Sequence, residues 1–243
     1  MRIVLSLMVA AVAFAAVVPT FTAANHSPTV LCLVPGGILC PDLTVDGARF
    51  DAFKQTRSFT SSSCSVQEGT TQTGLRTLLR FTFTTPNVGL TDLVVGRPGD
   101  HPESFEWGAC HGHWHFKNYA DYRLWTPDQF AAWNALRVAN PSTQAHEILA
   151  AHPELAPAKG DKRGFCVIDI VNYGGIVPHY LTCDVQGIAK GWADEYHWAL
   201  DGQWVDVTGL PSGEYVLEAE VNAEHVYEES SYENNRAWET VHI

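Results

Sequence analysis

Between Leu79 and Thr84, Leu79, Phe81 and Phe83 alternate with Arg80, Thr82 and Thr84, which predicts a half-buried strand ended by Thr85-Pro86-Asn87. Leu93-Val94-Val95 is a short apolar run stopped by Gly96-Arg97-Pro98. Residues 105–125, FEWGACHGHWHFKNYADYRLW, are aromatic-rich and poor in helix formers, and predict one or two further strands. The pattern then turns helical. Thr126 suits an N-cap, Pro127 the first helical position and Asp128 the first turn, while Phe130, Trp133 and Leu136 or Arg137 make a weak face before Asn140-Pro141. A second short helix is predicted over 145–151, ahead of Pro153. Further on, GFCVIDIVNY (164–173) reads as a strand, and 174–200 shows no clear period and reads mostly as loop. Residues 204–207 and 215–221, joined by Leu210-Pro211-Ser212-Gly213, predict a hairpin with Tyr215, Leu217, Ala219 and Val221 on one face and Glu214, Glu218 and Glu220 on the other. Residues 237–243 form a last strand. The whole predicts one mainly β domain with long loops and a short helical insertion near 126–152.

Composition adds three constraints. With 46% hydrophobic and 17% charged residues over 243 positions, the chain can build a real core. Its 15 Lys+Arg against 27 Asp+Glu give a formal charge of −12, which argues against nucleic acid as the main partner because phosphate binding needs a basic field. The first 24 residues, with Arg2, an apolar run from Ile3 to about Pro19 and small residues up to Ala24, read as a secretory signal peptide; no later stretch is long and apolar enough to span a bilayer. The expected location is therefore secreted, or periplasmic in a bacterium. Residues 25–65, broken by Pro35-Gly36-Gly37 and Thr60-Ser61-Ser62-Ser63, read as a loop-rich N-terminal arm. Asn25-His26-Ser27 fits the N-glycosylation pattern. Six cysteines, an even count in an exported chain and with no CxxC, favour disulfides over a zinc site; Cys32 and Cys40 are close enough to close a small loop.

His111, His113 and His115 are the strongest chemical signal. On a helix they would spread over about 200° of arc; on a strand all three project from one face, roughly 6–7 Å apart. Neutral imidazoles so grouped suit Cu(II), Zn(II), Ni(II) or Fe(II) and leave positions open for water, O2 or substrate. The plain alternative is a polar, solvent-facing strand side, which leaves three alternating histidines bracketed by Trp107, Trp114 and Phe116 without a purpose. His197 reads as an exposed loop residue.

The segment EWGACHGHWHF (106–116) resembles the copper-binding signature of the lysyl oxidase family: Trp, then Cys, then three alternating His. Four further blocks are similar in the same order: LRFTFTTPNVGLTDL (79–93), DKRGFCVID (161–169), QGIAKGWADEYHW (186–198) and the C-terminal pair GQWVDVTGLPSGEYVLEAEVN with YEESSYENN (202–222, 227–235). The resemblance covers roughly residues 79–238 and implies a β-sandwich core within a catalytic domain of residues 66–243. It implies that His111, His113 and His115 hold a copper ion. It further implies that Lys162 and Tyr196 are the precursors of lysyl tyrosylquinone, and that Cys110 pairs with Cys183, leaving Cys166 without a matching partner. Three features depart from the family: residues 126–161 are longer than its usual connection, Gly108 stands where it has a His, and the chain ends soon after YENN.

The implied activity is oxidative deamination of a primary amine, peptidyl lysine or a small amine, by O2 to an aldehyde, ammonia and H2O2. Side chains lack a two-electron sink for this, and a quinone supplies one. A carboxylate must take the substrate Cα proton; Asp194, two residues from Tyr196, is the first choice, with Glu195 and Asp206 as alternatives. The acidic surface suits a cationic substrate. The competing expectation is a secreted copper-binding β-sandwich protein without catalysis. A cupin-like iron oxygenase or a zinc hydrolase fits less well, since a cupin-type motif wants a Glu that residues 114–122 lack.

Overall fold

In the computed structural model, residues 39–160, 162 and 164–243 are described. The expected signal segment, the glycosylation pattern at Asn25 and the Cys32 half of the expected small loop lie outside them.

The elements run β1 (Phe53–Phe59), α1 (Cys64–Gln67), β2 (Gly74–Arg80), β3 (Phe83–Pro86), β4 (Leu93–Gly96), β5 (Phe105–Gly108), β6 (His113–Phe116), β7 (Ala120–Trp125), α2 (Pro127–Ala139), α3 (Ala145–Ala151), β8 (Ala158–Gly160), β9 (Val171–Asn172), β10 (Gln186–Ile188), β11 (Trp192–Tyr196), β12 (Trp204–Asp206), β13 (Glu214–Val221) and β14 (Arg236–His242). The mainly β class with a helical insertion is as expected. Strands assort into five small sheets, in the orders β1-β2-β12, β10-β4, β3-β11-β9, β14-β13-β7-β8 and β5-β6, with every named pair antiparallel. One apolar cluster ties all five together: Leu79 and Val205, Leu93 and Ile188, Phe83 and Tyr196, Leu124 and Leu217, and Phe105 and Phe116 each come from a different sheet. The helical insertion begins as its sequence dictates. Thr126 accepts from Gln129 N while the Gln129 side chain accepts from Thr126 N, a reciprocal capping box, and Pro127 follows the cap.

Several strand expectations are corrected. The alternating run at 79–84 is not half-buried. Arg80, Thr82 and Thr84 are buried as fully as the apolar positions between them, and the run is split between β2 and β3. Arg80 is accommodated by Gln55 and the Leu200 carbonyl, and by the Trp204 ring 5.0 Å away. Residues 53–59, expected in a loop-rich arm, form the edge strand β1. The segment 164–173 has only β9 as regular strand, because its backbone bonds are divided among partners: Phe116 N donates to Phe165 O, Gly187 N to Val167 O, Asp169 N to Tyr180 O and Ile170 N to Ala193 O. The stretch 174–200, expected as loop, holds β10 and β11; β11 is covered on both faces and so shows no period of two. The hairpin expected over 204–221 does not form. Strand β12 pairs with β2, whereas β13 lies between β14 and β7. Finally, the Glu face of β13 is covered by α2: Glu218 and Glu220 are buried against Arg123, Arg137, Arg236 and Trp133.

Candidate metal centre and active-site cleft

The histidine motif folds as a hairpin, not as a single strand. β5 and β6 pair with Gly108 opposite His113 and Glu106 opposite His115. The connection 109–112 carries His111, whose N donates to Gly108 O, and closes through Gly112 at φ +71°, a left-handed conformation that favours glycine. His113 and His115, two apart on β6, share a face, and the turn swings His111 over to join them. The three rings are 4.8, 5.1 and 5.8 Å apart between centres, and one ligating nitrogen from each falls within 4.8 Å of the others. His111 Nδ1 and His115 Nε2 approach to 3.2 Å, a contact between nitrogens that needs a shared proton or a shared cation. The His115 ring also occupies the space where a residue-108 side chain would sit: a Cβ there would meet His115 Cε1 at 2.3 Å. A side chain at position 108 would therefore have to displace the His115 ring.

Burial, followed by the charge of neighbouring histidines, lowers the pKa of His113 and takes that of His115 down to about 4. Both are thus neutral near pH 7 with a lone pair to offer, as transition-metal ligands must be.

A cleft of about 600 Å³ runs from this centre, lined by His111, His113, Lys162, Asp194, Tyr196 and the Cys166–Cys183 disulfide among others. Lys162 follows the short β8 and is partly buried. Its Nζ donates to Asp201 O at 3.2 Å and sits 5.3 Å from the Tyr196 ring centre and 5.4 Å from that of Phe165. Tyr196 ends β11 opposite Phe83, with Phe165 packed edge-on at 5.0 Å. The Tyr196 hydroxyl and the Asp194 carboxyl group are buried and are each other's side-chain partner. Burial dominates the titration of all three cleft groups: it raises Asp194 to about 8, lowers Lys162 to about 8 and raises Tyr196 well above its ordinary value. The two other carboxylates considered from the sequence are engaged elsewhere. Glu195 is held by Arg49 at 2.5 Å and by Thr84, and Asp206 by Arg76 and Thr71.

The family model described as lysyl oxidase matches residues 52–136 and 142–242. The chain belongs to the lysyl oxidase family. Among curated relatives, the protein-lysine 6-oxidase of Sus scrofa is 32% identical over 161 residues, which are 66% of this chain and 54% of that protein. The protein-lysine 6-oxidase of Homo sapiens is 31% identical over 161 residues, 66% of this chain and 32% of that protein, and lysyl oxidase homolog 2 of Bos taurus is 30% identical over 175 residues, 71% of this chain and 19% of that protein. The matched region thus spans about half of the porcine relative and a third or less of the other two. Within the lysyl oxidase motif, the pairing expected for Cys110 is overturned. Cys110 bonds Cys64, and Cys183 bonds Cys166, with Cα atoms 5.7 and 5.3 Å apart. Cys110 lies in the β5–β6 turn against α1, whereas the Asp169–Tyr180 and Val167–Gly187 backbone bonds bring Cys183 beside Cys166. No described cysteine is free. His197 is exposed, as expected.

Sequence reasoning missed Phe165, which packs on both Lys162 and Tyr196, and Glu68, whose Oε2 is 3.8 Å from His111 Nε2. The signal for Glu68 was its position four residues after Cys64, informative only once that cysteine is known to bond beside His111.

Proposed function

We propose that this chain is a secreted, copper-dependent amine oxidase of lysyl oxidase type, with residues 66–243 as its catalytic domain and β1 as an added edge strand. The reading rests on one observation above all: His111 and His113, with His115 packed against both, line a single cleft together with Lys162, Asp194 and Tyr196, and the Lys162 amine is 5.3 Å from the Tyr196 ring centre. His111, His113 and His115 would hold the copper, and their neutral, crowded nitrogens fit that ion. Lys162 and Tyr196 would be the pair joined as lysyl tyrosylquinone, which when formed supplies the two-electron sink that amine oxidation needs. The Asp194 carboxyl group beside the Tyr196 hydroxyl fits a ring whose oxygen is meant to react.

The chain's own groups have separate tasks. Phe165 and Phe83 hold the Tyr196 ring in place. Burial keeps a substantial fraction of the Lys162 amine neutral near pH 8, as a nucleophilic amine must be. Asp194 accepts the proton from the substrate Cα, and burial makes its carboxylate a stronger base than an exposed one. The net negative charge attracts a cationic amine, whereas Asp201, which also lines the cleft, is paired with Arg57. Overall a primary amine, O2 and water give an aldehyde, ammonia and hydrogen peroxide, with peptidyl lysine or a small amine as the substrate. Secretion is supported by the disulfides; among the described residues no helix is long and apolar enough to cross a membrane.

Mass spectrometry of protein loaded with copper in air tests the assignment. The expected result is a cross-linked peptide pair containing Lys162 and Tyr196, together with peroxide release from a primary amine that a carbonyl reagent blocks. Separate, unmodified Lys162 and Tyr196 peptides would refute it, and with copper bound would leave a copper-binding protein without catalysis.

A further inference from the structure

Resting on the copper reading above, the geometry points to Glu68 as a positioning residue: its carboxylate accepts the Nε2–H of His111, so that His111 presents Nδ1 to the metal. Four observations carry this. Glu68 Oε2 stands 3.8 Å from His111 Nε2, in reach of a hydrogen bond after a small closing movement. The other nitrogen of the same ring, Nδ1, faces His115 Nε2 at 3.2 Å, so the two sides of the ring look in opposite directions, one toward the centre and one toward the carboxylate. Glu68 Oε1 is buried without a hydrogen-bond partner, so the carboxylate has no competing contact to hold it elsewhere. Last, Glu68 is fixed in place covalently. It caps the C-terminal end of α1, and the Cys64–Cys110 disulfide bolts α1 to the turn that carries His111.

The physical consequence follows from imidazole chemistry. A neutral His has one N–H and one lone pair, and the acceptor given to the N–H decides which nitrogen binds the metal. A carboxylate acceptor also makes the ligating nitrogen more basic. His111 needs such help most, because it lies in a turn, whereas His113 and His115 are held by the β6 ladder. The disulfide therefore sets the metal centre at second hand, by holding Glu68 against His111.

The test compares wild type, Glu68→Ala, Glu68→Gln and His113→Ala as full chains, with folding of each checked by thermal melting. Cu(II) affinity is read by competition with a chelator, and the tautomers by 15N spectra of the Zn(II)-loaded, 15N-histidine-labelled protein. Glu68→Ala is expected to weaken Cu(II) binding by about 10- to 100-fold and to blur the spectrum of one Nδ1-metallated, Nε2-protonated histidine. Glu68→Gln, whose amide oxygen still accepts the same proton, is expected to stay within about tenfold of wild type and to keep that spectrum. Wild-type affinity in Glu68→Ala overturns the proposal. So does a loss in Glu68→Gln as large as in Glu68→Ala, which would mean direct ligation or bulk charge. If wild type binds no more Cu(II) than His113→Ala, the copper reading itself fails and takes this inference with it.

Discussion

Glu218 and Glu220 beneath α2 are buried as deeply as Asp194 in the cleft, yet the two regions dispose of their charge differently. Under α2 every carboxylate oxygen is engaged: Glu218 by Trp125, Trp133 and Arg236, Glu220 by Arg123 and Arg137. Around the cleft, the side-chain partner of Asp194 is the Tyr196 hydroxyl rather than an arginine, and Glu68 Oε1 is buried without a hydrogen bond. A buried carboxyl group without a hydrogen-bonded cation costs stability, and Asp194 bears that cost inside the cleft where the proposed chemistry needs a base. The paired network marks where the inserted helix is anchored.

The largest effect expected from breaking this contrast is at Tyr196. Tyr196→Phe should abolish quinone staining and amine oxidation altogether, while the melting temperature falls only slightly, since the removed hydroxyl has Asp194 as its side-chain partner. A marked fall in melting temperature would show that the hydroxyl is structural. Asp194→Asn should lower turnover per quinone by about 10²- to 10⁴-fold with the Lys162–Tyr196 link intact; a change within twofold would remove Asp194 from the mechanism. Across the molecule, Arg123→Met leaves Glu218 and Glu220 short of a buried partner and should cost about 3–5 kcal/mol in urea unfolding, with little change in turnover per folded molecule.

The smallest effect is on the pH dependence of stability. Asp194 is raised to about 8 in the folded protein against 3.8 for the free group, so between these values the folded state holds the extra proton. Its contribution is full below about pH 4 and is lost as pH climbs through about 8. In metal-free protein, Asp194→Asn should therefore gain in melting temperature relative to wild type as pH rises from 4 to 8, and the gap should close toward pH 4. A pH-independent difference would show that Asp194 titrates normally.

The same contrast explains what could be read from the chain. Helix α2 was legible because its start is local chemistry, Thr126-Pro127-Asp128 with Gln129. Strand β11 was not, because a strand buried on both faces, with Asp194 among its inward positions, has no period. The partition of β12 and β13 into different sheets depends on long-range pairing that a good turn signal between them conceals. At the site, the histidine trio was legible from its residue type and spacing, and Lys162 and Tyr196 only through the resemblance to the family. The turn position of His111, the cysteine pairing and Glu68 were not, since each depends on how the arm folds back against the β5–β6 hairpin.

The Cys166–Cys183 bridge forms part of the wall of the cleft. A reaction that discharges peroxide would attack thiols and thioethers on its way out, but a sulfur already tied to another lacks the thiolate that starts the oxidation ladder. The chain's two methionines are Met1 and Met8, so from residue 9 onward it contains no thioether at all. An oxidase of the proposed kind would thus be built of sulfur that its own by-product has little means to corrode.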